Sequence, residues 1–270
     1  MIDLHCHYLP FVDDGAQTIV ESATLAAMSA AQGITHAVLT PHLYAGRWEN
    51  TLEATRAPFE AYRTMLERSG VSIGLRLAAE VHLLPESLEL AQRGALPVLG
   101  HWDGEGVVLL ELPDGHVPPG TDKAVALLRS LGYLPMLAHP ERNKSVMRDI
   151  RVLRPLVEAG CLVQLTAASV IGAFGEPAYR CARQLLDVGC VTAVATDAHN
   201  LAHRPPRLRE ARDELARGWG EEVAERLTRG NPGRIIGVTT EAPQGAAGAV
   251  SASDPAAASD PSAASSSTAG

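Results

Sequence analysis

The stretch LPMLAHPERNKSVMRDIRVLRPLVEAGCLVQLTA, residues 134–167, contains the pattern that decides the fold. It begins with the apolar run LPMLAHP (134–140), continues through the amphipathic segment IRVLRPLVEAG, which ends at Gly160, and closes with the apolar run LVQLTA (162–167). A glycine just after the last periodic residue is a helix stop signal. Strand, helix and strand in this order are typical of two parallel strands joined by a crossover helix, and they predict an α/β protein.

The same alternation continues on both sides of this unit. The other strand-like runs are MIDLHCH (1–7), HAVLTPH (36–42), SIGLRLAAEVH (72–82), GVVLLELP (106–113) and VTAVATDAH (191–199). Helical patterns lie between the runs, and three of these patterns end at a glycine, namely Gly33, Gly70 and Gly132. Strands that alternate with helices in this way predict a parallel sheet, for which a closed barrel is the natural architecture. Because we count seven strands rather than eight, we expect an irregular (β/α)7 barrel.

The composition is that of an ordinary globular chain. Of 270 residues, 46% are hydrophobic and 20% are charged, and the formal net charge is −8. This charge argues against nucleic acid or an anionic membrane as the main partner, and the longest apolar runs are too short to span a bilayer. The first ten residues lack the basic region and long apolar core of a signal peptide. We therefore expect a cytoplasmic protein in which Cys6, Cys161, Cys181 and Cys190 are reduced thiols.

The composition changes sharply near residue 238. Residues 239–270 are almost entirely Ala, Ser, Gly, Thr and Pro, and they contain Glu241, Asp254 and Asp260 but no Lys, Arg or aromatic residue. Such a segment has too little large apolar surface to offset the entropy of ordering it. We predict one folded domain over residues 1–238 and a disordered, mildly acidic tail over 239–270, with a docking peptide as the alternative for the tail.

Metal-capable side chains lie at the carboxyl ends of six of the seven predicted strands. The first run ends in His5-Cys6-His7, where the two imidazoles share one face and the thiol points to the other. The other strand ends and the turn after the first strand carry Asp13, Asp14, His42, Glu80, Glu111, His139, Asp197 and His199. In a β/α barrel these ends meet at one mouth, where carboxylates without cations would repel one another. We predict two or three divalent cations, with Glu80 and Asp197 suited to bridging them.

The chemistry of these residues narrows the metal and the reaction. Mixed imidazole and carboxylate ligands suit Mn, Fe or Zn better than Ca or Mg. Multi-metal sites of this kind activate water and stabilise an oxyanion during hydrolysis. Arg142 follows His139 by three residues and Arg204 follows His199 by five. Because arginine binds phosphate bidentately, a phosphomonoester is the favoured substrate, and pairing of each arginine with a surface carboxylate is the alternative.

The motifs MIDLHCH, LTPH, AAEVH, LLELP, AHPER and ATDAHN with RPP, in that order, resemble the PHP (polymerase and histidinol phosphatase) superfamily. More narrowly, MIDLHCHYLPFVDDGA, AHPER and TDAHNLAHRPP resemble the bacterial capsular-polysaccharide tyrosine phosphatases of the CpsB/CapC family, from Met1 to about Gly237. The resemblance implies a distorted (β/α)7 barrel with a trinuclear, usually manganese-dependent centre. It also implies hydrolysis of phosphotyrosine on a bacterial tyrosine autokinase that controls exopolysaccharide assembly.

The resemblance also assigns roles to individual residues. The implied metal ligands are His5, His7, Asp14, His42, Glu80, Glu111, His139, Asp197 and His199. Arg142 and Arg204 would bind the phosphate while a metal-bridging hydroxide attacks phosphorus, and His42 or His199 could protonate the leaving group. The chain lacks the C-x5-R loop of thiol-dependent phosphatases. Tyr44 could form an aromatic wall with Trp48 beside the phosphotyrosine ring, or both could simply pack the loop.

Several alternatives remain open at this point. The chain could be another PHP phosphoesterase that acts on histidinol phosphate or a small phosphomonoester. An amidohydrolase also begins with an HxH strand, but it normally carries a lysine at the end of the fourth strand, where this chain has Glu111. A metal-loaded regulator could bind the kinase through its acidic tail without catalysis. The resemblance is compatible with a monomer or a larger oligomer.

Overall fold

The computed structural model describes residues 1–238, and the predicted tail over 239–270 lies outside the described residues. The strands are β1 (Ile2–Cys6), β2 (His36–Leu39), β3 (His42–Tyr44), β4 (Trp48–Glu49), β5 (Gly74–Leu77), β6 (Glu80–His82), β7 (Gly100–Trp102), β8 (Glu105–Glu111), β9 (Tyr133–Ala138), β10 (Leu162–Thr166) and β11 (Ala193–Ala195). The helices are α1 (Ile19–Ala31), α2 (Leu52–Arg68), α3 (Pro85–Gln92), α4 (Thr121–Ser130), α5 (Lys144–Arg148), α6 (Arg154–Glu158), α7 (Ala167–Val170), α8 (Glu176–Asp187), α9 (Leu208–Trp219), α10 (Glu221–Glu225) and α11 (Asn231–Ile236). Two 3₁₀ turns and one π-helical turn lie at Pro140–Arg142, Ile150–Leu153 and Arg226–Gly230.

Strands and helices alternate along the chain, which confirms the predicted α/β class. Among residues 1–238, seven strand pairs are parallel and two, β3 with β4 and β7 with β8, are antiparallel, as expected where helices connect parallel strands. Within residues 1–238, no helix combines the length and the hydropathy that crossing a membrane requires.

Parallel pairing links the strands in the order in which they occur in the chain. In a three-stranded sheet β1 pairs with β2 and β2 with β5, and in a second sheet β3 pairs with β6 and parallel pairing continues through β8, β9 and β10 to β11. At the ends of this path, Cys6 and Ala198 form a parallel bridge, and the amide of Asp197 donates to the carbonyl of His5 at 2.8 Å. The predicted barrel remains our interpretation of this path, because one bridge rather than a continuous ladder joins β1 to the chain after β11.

Two of the predicted strands are interrupted, so the expected continuous runs over 36–42 and 72–82 are wrong. The first divides into β2 and β3 at Pro41, which has no N–H to donate to a ladder, and the second divides into β5 and β6. The carbonyl of Pro41 still accepts a hydrogen bond from the amide of Glu80 at 3.2 Å. Pairing then resumes with His42 opposite Glu80, so the interruption leaves these two side chains beside each other.

The inner apolar core lies directly beneath the carboxyl ends of the strands. Val107 and Leu109 of β8 belong to a buried cluster that includes Ile235 and Ile236 of α11. Val108 and Leu110, which alternate with them on β8, belong to a second buried cluster that includes residues of α4 and α6. Because side chains alternate along a strand, Glu111 lies on the same face as Val107 and Leu109, at the end of β8. The polar side chains at the carboxyl ends of the strands therefore lie next to the buried apolar cluster, on the same face of the sheet.

Candidate metal centre

The chain turns sharply after two of the strands. His139 follows β9 with a φ of 31°, and Asp197 lies beyond β11 with a φ of 50°. Residues other than glycine rarely adopt this left-handed conformation, and such strain is concentrated at functional sites. The predicted strand over 191–199 is therefore too long, since β11 ends at Ala195 and the chain then turns. Both side chains are buried in the site.

Glu80 faces four imidazoles. Its Oε2 lies 3.2 Å from Nε2 of His5, 3.4 Å from Nε2 of His7 and 3.0 Å from Nδ1 of His42. Its Oε1 lies 2.7 Å from Nε2 of His139. A buried carboxylate that presents both oxygens to different imidazoles has the geometry required of a bridging ligand.

Asp197 joins the imidazole cluster to the two arginines. Its Oδ1 lies 3.3 Å from Nε2 of His5 and 3.5 Å from Nδ1 of His199. Its Oδ2 accepts a hydrogen bond from Nη1 of Arg142 at 2.5 Å and another from Nη2 of Arg204. The arginine side chains are 28% and 22% exposed, so they connect the buried carboxylate to the open mouth of the site.

The adjacent aspartates Asp13 and Asp14 occupy different places. Asp13 Oδ2 accepts from Nδ1 of His7 at 2.8 Å and from the amide of His42 at 3.0 Å. Asp14 Oδ1 lies 3.3 Å from Nε2 of His42, and its side chain is 46% exposed. The loop passes so close that a Cβ at Gly15 would lie 2.2 Å from the carbonyl oxygen of His7. The geometry supports Asp14 as a candidate ligand and assigns Asp13 to the orientation of His7.

The structure brings all nine candidate ligands together. In each of four groups, one potential ligand atom from every member lies within 4.8 Å of the others. The groups are His7, Asp14, His42 and His199; His5, His7 and Glu80; His5, His139 and Asp197; and His42, Glu80 and Glu111. His5, His7, His42 and Glu80 belong to two groups each, and of these Glu80 has two oxygens with which it could bind neighbouring ions. These residues could therefore hold more than one metal ion.

Three imidazoles are oriented for coordination. His5 donates from Nδ1 to Oε1 of Gln164 at 3.0 Å, and His7 donates from Nδ1 to Asp13. Nδ1 of His199 donates to a main-chain carbonyl two residues earlier at 3.0 Å. A proton on Nδ1 leaves Nε2 with the lone pair that binds a metal. Nε2 of His5 and Nε2 of His7 lie 3.1 Å apart, a contact that a shared cation would stabilise.

Buried polar atoms without partners provide a second test of the fit. Among residues 1–238 the buried atoms without a hydrogen bond include His42 Nδ1, Glu80 Oε2, Asp197 Oδ1 and His199 Nε2. Each unsatisfied buried polar atom costs about 1–3 kcal/mol. Since all four belong to the groups described above, coordination would satisfy them, and the donor set is one that Mn, Fe or Zn accepts.

The buried carboxylates of the site favour positive charge on their neighbours, as the pKa shifts of His5 and His42 show. Burial alone would lower the pKa of His5, but Glu80 and Asp197 raise it to about 9. Burial likewise opposes ionisation of His42, and Glu80 together with Asp14 raises its pKa to about 11. Burial acts to raise the pKa of Glu80, yet the surrounding imidazoles hold it well below its usual range. Protons and divalent cations therefore compete for these ligands.

Sequence reasoning missed two kinds of supporting residue. Gln164 lies on β10, the strand for which no ligand was predicted, and its side chain accepts a hydrogen bond from His5. Asp3 is fully buried and accepts from the amide of Thr196 at 2.9 Å and from its hydroxyl at 2.6 Å. The hydrogen bonds between Asp3 and Thr196 connect β1 to the chain after β11. The position of Asp3 two residues before His5 was a usable signal, because residues two apart in a strand share a face.

The mouth above the groups is a cavity of about 410 Å³. Its lining includes Tyr44, Trp48, Arg142 and Arg204. Tyr44 stacks on His82 with ring centroids 4.1 Å apart, and Trp48 stacks on His42 at 4.8 Å. His82 donates from Nδ1 to Oε2 of Glu111 at 3.0 Å and belongs to none of the four groups. Both aromatic rings therefore pack against histidines of the site, and their predicted role as a wall for the substrate stays a prediction.

With this geometry established, comparison with known proteins identifies the family. The family described as "Capsular polysaccharide synthesis, CpsB/CapC" matches residues 1–237. The chain belongs to the CpsB/CapC family. Its relatives include the tyrosine-protein phosphatase YwqE of Bacillus subtilis, which is 32% identical over 229 residues that cover 84% of this chain and 89% of that protein. The tyrosine-protein phosphatase CpsB of Streptococcus pneumoniae is 30% identical over 241 residues, which cover 87% of this chain and 98% of that protein.

Solved structures agree with the family assignment. A crystal structure from work on YwqE of Bacillus subtilis and CpsB of Streptococcus pneumoniae, described as unique metal-dependent tyrosine phosphatases, matches with a TM-score of 0.81 at 30% identity. The match covers 88% of this chain and 96% of that chain. The phosphotriesterase homology protein of Escherichia coli matches with a TM-score of 0.53 at 13% identity over 87% of this chain and 96% of that chain, which shows a shared fold alone. The resemblance to the CpsB/CapC family found in the sequence motifs is confirmed.

Proposed function

We propose that this member of the CpsB/CapC family is a metal-dependent protein-tyrosine phosphatase. Its substrate would be phosphotyrosine on a bacterial tyrosine autokinase, and its reaction would regulate capsule or exopolysaccharide synthesis from the cytoplasm. The observation that carries the proposal is the pair of Arg142 and Arg204 on one oxygen of Asp197, beside a cluster of candidate metal ligands. The names of the relatives as tyrosine-protein phosphatases support it.

We assign the metal site to the nine candidate ligands in the four groups, of which Glu80 and Asp197 would be the carboxylates suited to bridging. We propose two or three ions, with manganese as the physiological metal and iron or zinc as alternatives. Bound at these residues, divalent cations supply Lewis acidity and lower the pKa of water for attack on phosphorus. The protein holds the imidazoles in the tautomer that coordination needs, through Gln164 and Asp13.

The arginines hold the phosphoryl group against these ligands. Asp197 uses one oxygen to fix both guanidinium groups, so the remaining N–H groups of Arg142 and Arg204 are available to phosphoryl oxygens. Arg204 Nε is buried and has no hydrogen-bond partner among residues 1–238. A donor that is fixed before substrate binds stabilises the charge that develops in the transition state without further reorganisation.

Protonation of the departing tyrosine oxygen by His42 or His199 stays a prediction. Both imidazoles belong to the group that contains Asp14, and His42 also faces Glu80 at 3.0 Å. The two nitrogens of His42 therefore lie close to two different carboxylates, which favours a ligand role. We give both histidines ligand roles first and proton donation second.

The test compares substrates of the metal-loaded chain. A phosphotyrosine peptide, a phosphoserine peptide and histidinol phosphate are assayed with Mn(II), Fe(II) and Zn(II) in turn. We expect the phosphotyrosine peptide to be hydrolysed with the highest kcat/KM and the activity to be lost with a chelator or with His5→Ala. Faster turnover of histidinol phosphate would overturn the assignment in favour of a phosphatase for small phosphomonoesters. Binding of the kinase without any turnover would favour the non-catalytic regulator.

A further inference from the structure

A second groove adjoins the two arginines. It has a volume of about 370 Å³. Its lining consists of Arg142, Met147, Phe174, Pro177, Ala178 and Arg204. Both arginines also line the mouth above the metal ligands, so they form the boundary that the two cavities share. None of the nine candidate ligands lines the groove, and every lining side chain except the arginines is apolar.

Phe174 lies on a tight turn that presents its ring to the arginines. The ring centroid is 5.1 Å from Cζ of Arg142 and 6.0 Å from Cζ of Arg204. The turn runs from Gly172 to Gly175, whose φ values are 79° and 86°, and the amide of Gly175 donates to the carbonyl of Gly172 at 3.1 Å. Glycine adopts such φ values without strain, so these residues allow the chain to fold back just before α8. The ring is thereby held at the edge of the groove and stays partly exposed.

We propose that this groove receives the aromatic ring of the tyrosine whose phosphate the arginines bind, and that Phe174 is the specificity-determining residue for aryl over alkyl phosphate esters. The inference rests on the proposed phosphatase function. In phosphotyrosine a single ester oxygen joins the aromatic ring to the phosphoryl group. A site that binds both groups therefore needs cationic donors for the phosphoryl oxygens next to an apolar surface for the ring. The groove provides this combination.

The direction of the reaction supports the same placement. In phosphoryl transfer the attacking and leaving oxygens lie roughly in line with phosphorus. Attack from the side of the candidate ligands therefore directs the tyrosine oxygen away from them, toward the boundary that Arg142 and Arg204 form. This placement argues against His42 and His199 as proton donors to the departing oxygen. The groove with Phe174 lies at that boundary.

The other aromatic surface of the mouth is already engaged. Tyr44 lies parallel to His82, with 3° between the ring planes, and Trp48 contacts His42 on the ring and the guanidinium of Arg47 at 3.9 Å. A substrate ring at Phe174 needs no displacement of these contacts. For this reason we favour Phe174 over Tyr44 and Trp48 as the surface that the tyrosine ring contacts.

The test measures inhibition of the metal-loaded enzyme by three probes: inorganic phosphate, methylphosphonate and phenylphosphonate. Phenylphosphonate adds the ring to the same anionic group, so the ratio of its inhibition constant to that of methylphosphonate reports the ring site alone. We expect Phe174→Ala to reduce the preference for phenylphosphonate about two- to twelvefold, the range of an aromatic pair, and to leave the inhibition constant of inorganic phosphate unchanged. Phe174→Tyr should keep the preference.

Two control variants make the result decisive. Phe11→Ala makes the same chemical change at a phenylalanine that is 66% exposed and should leave all three constants unchanged. If Phe174→Ala weakens phosphate and phenylphosphonate equally, Phe174 only positions the arginines and the proposal is wrong. It is also wrong if Tyr44→Ala, rather than Phe174→Ala, removes the preference. Failure of the wild-type enzyme to hydrolyse phosphotyrosine would instead refute the proposed function, whatever the inhibition constants show.

Discussion

Gln164 on β10 and His5 on β1 lie 159 positions apart in the chain, and Gln164 Oε1 accepts a hydrogen bond from His5 Nδ1 at 3.0 Å. The side-chain nitrogen Nε2 of Gln164 donates to the main-chain carbonyl of Leu165 at 2.7 Å. This hydrogen bond orients Oε1 of Gln164 toward the imidazole of His5. The hydrogen bond from His5 therefore selects the tautomer in which His5 Nε2 is the free donor for a metal.

Replacement of Gln164 tests this relationship. Gln164→Leu should weaken metal binding by about 10- to 100-fold, because the hydrogen bond that orients His5 is lost. Isothermal titration of the metal-free protein with Mn(II) measures the change. Gln164→Glu keeps an oxygen acceptor for His5 and should bind Mn(II) at least as tightly as the wild type, because the added carboxylate also attracts the cation. Equal metal affinity in the wild type and Gln164→Leu would contradict the orienting role.

Asp13 and Asp14 should respond differently to substitution. Asp14→Ala removes a candidate ligand and should lower the number of bound ions, whereas Asp13→Ala should weaken metal binding about 10- to 100-fold through the loss of its contact with His7. Metal content by mass spectrometry after dialysis, together with titration, separates the two effects. If Asp13→Ala lowers the number of ions and Asp14→Ala does not, the assignment of the two residues must be reversed.

Arg142 should be required for turnover rather than for metal binding. Arg142→Ala should lower kcat by about 10²- to 10³-fold, because a fixed donor to the phosphoryl group is lost, while metal content stays unchanged. Arg151→Ala is the matched control, since Arg151 is exposed and pairs with Asp149 on the surface. Loss of bound metal in Arg142→Ala would show that the residue mainly supports Asp197.

The cysteines should play no part in the reaction. Burial raises the pKa of Cys161 and of Cys181 to about 12, and burial also raises the pKa of Cys6 well above its usual value. With a pKa of about 12, only about one thiol in 10⁴ is ionised at pH 8, and the thiolate is the reactive form. Treatment of the native enzyme with iodoacetamide at pH 8 should therefore leave kcat/KM unchanged. Rapid inactivation that the substrate prevents would indicate a catalytic thiol.

Removal of residues 239–270 should leave kcat/KM for a small aryl phosphate within about twofold of the full chain. All candidate ligands and both arginines lie within the part of the chain that the structure describes. Steady-state assays of the two forms with the same metal content make the comparison. A large loss of activity would assign a role at the site to the tail.

The positions of the candidate ligands were predictable because each depends on local information. A strand end followed by a His, Asp or Glu can be read from a few neighbouring residues, and the parallel sheet then gathers the ends at one edge. The break at Pro41 could also have been expected, since proline cannot donate to a ladder. Gln164 and Phe174 could not, because their roles depend on side chains more than thirty residues away that only the folded chain brings near.

The hydrogen bonds between Asp3 and Thr196 join residues 193 positions apart. Contacts of such long range close late in folding, because the entropy of the loop must be lost before the contact forms. A chain emerging from the ribosome therefore exposes His5 and His7 long before Asp197 and His199 are synthesised. The complete set of nine candidate ligands therefore exists only once the chain has been synthesised through His199, and a chain truncated before Asp197 would lack two of them.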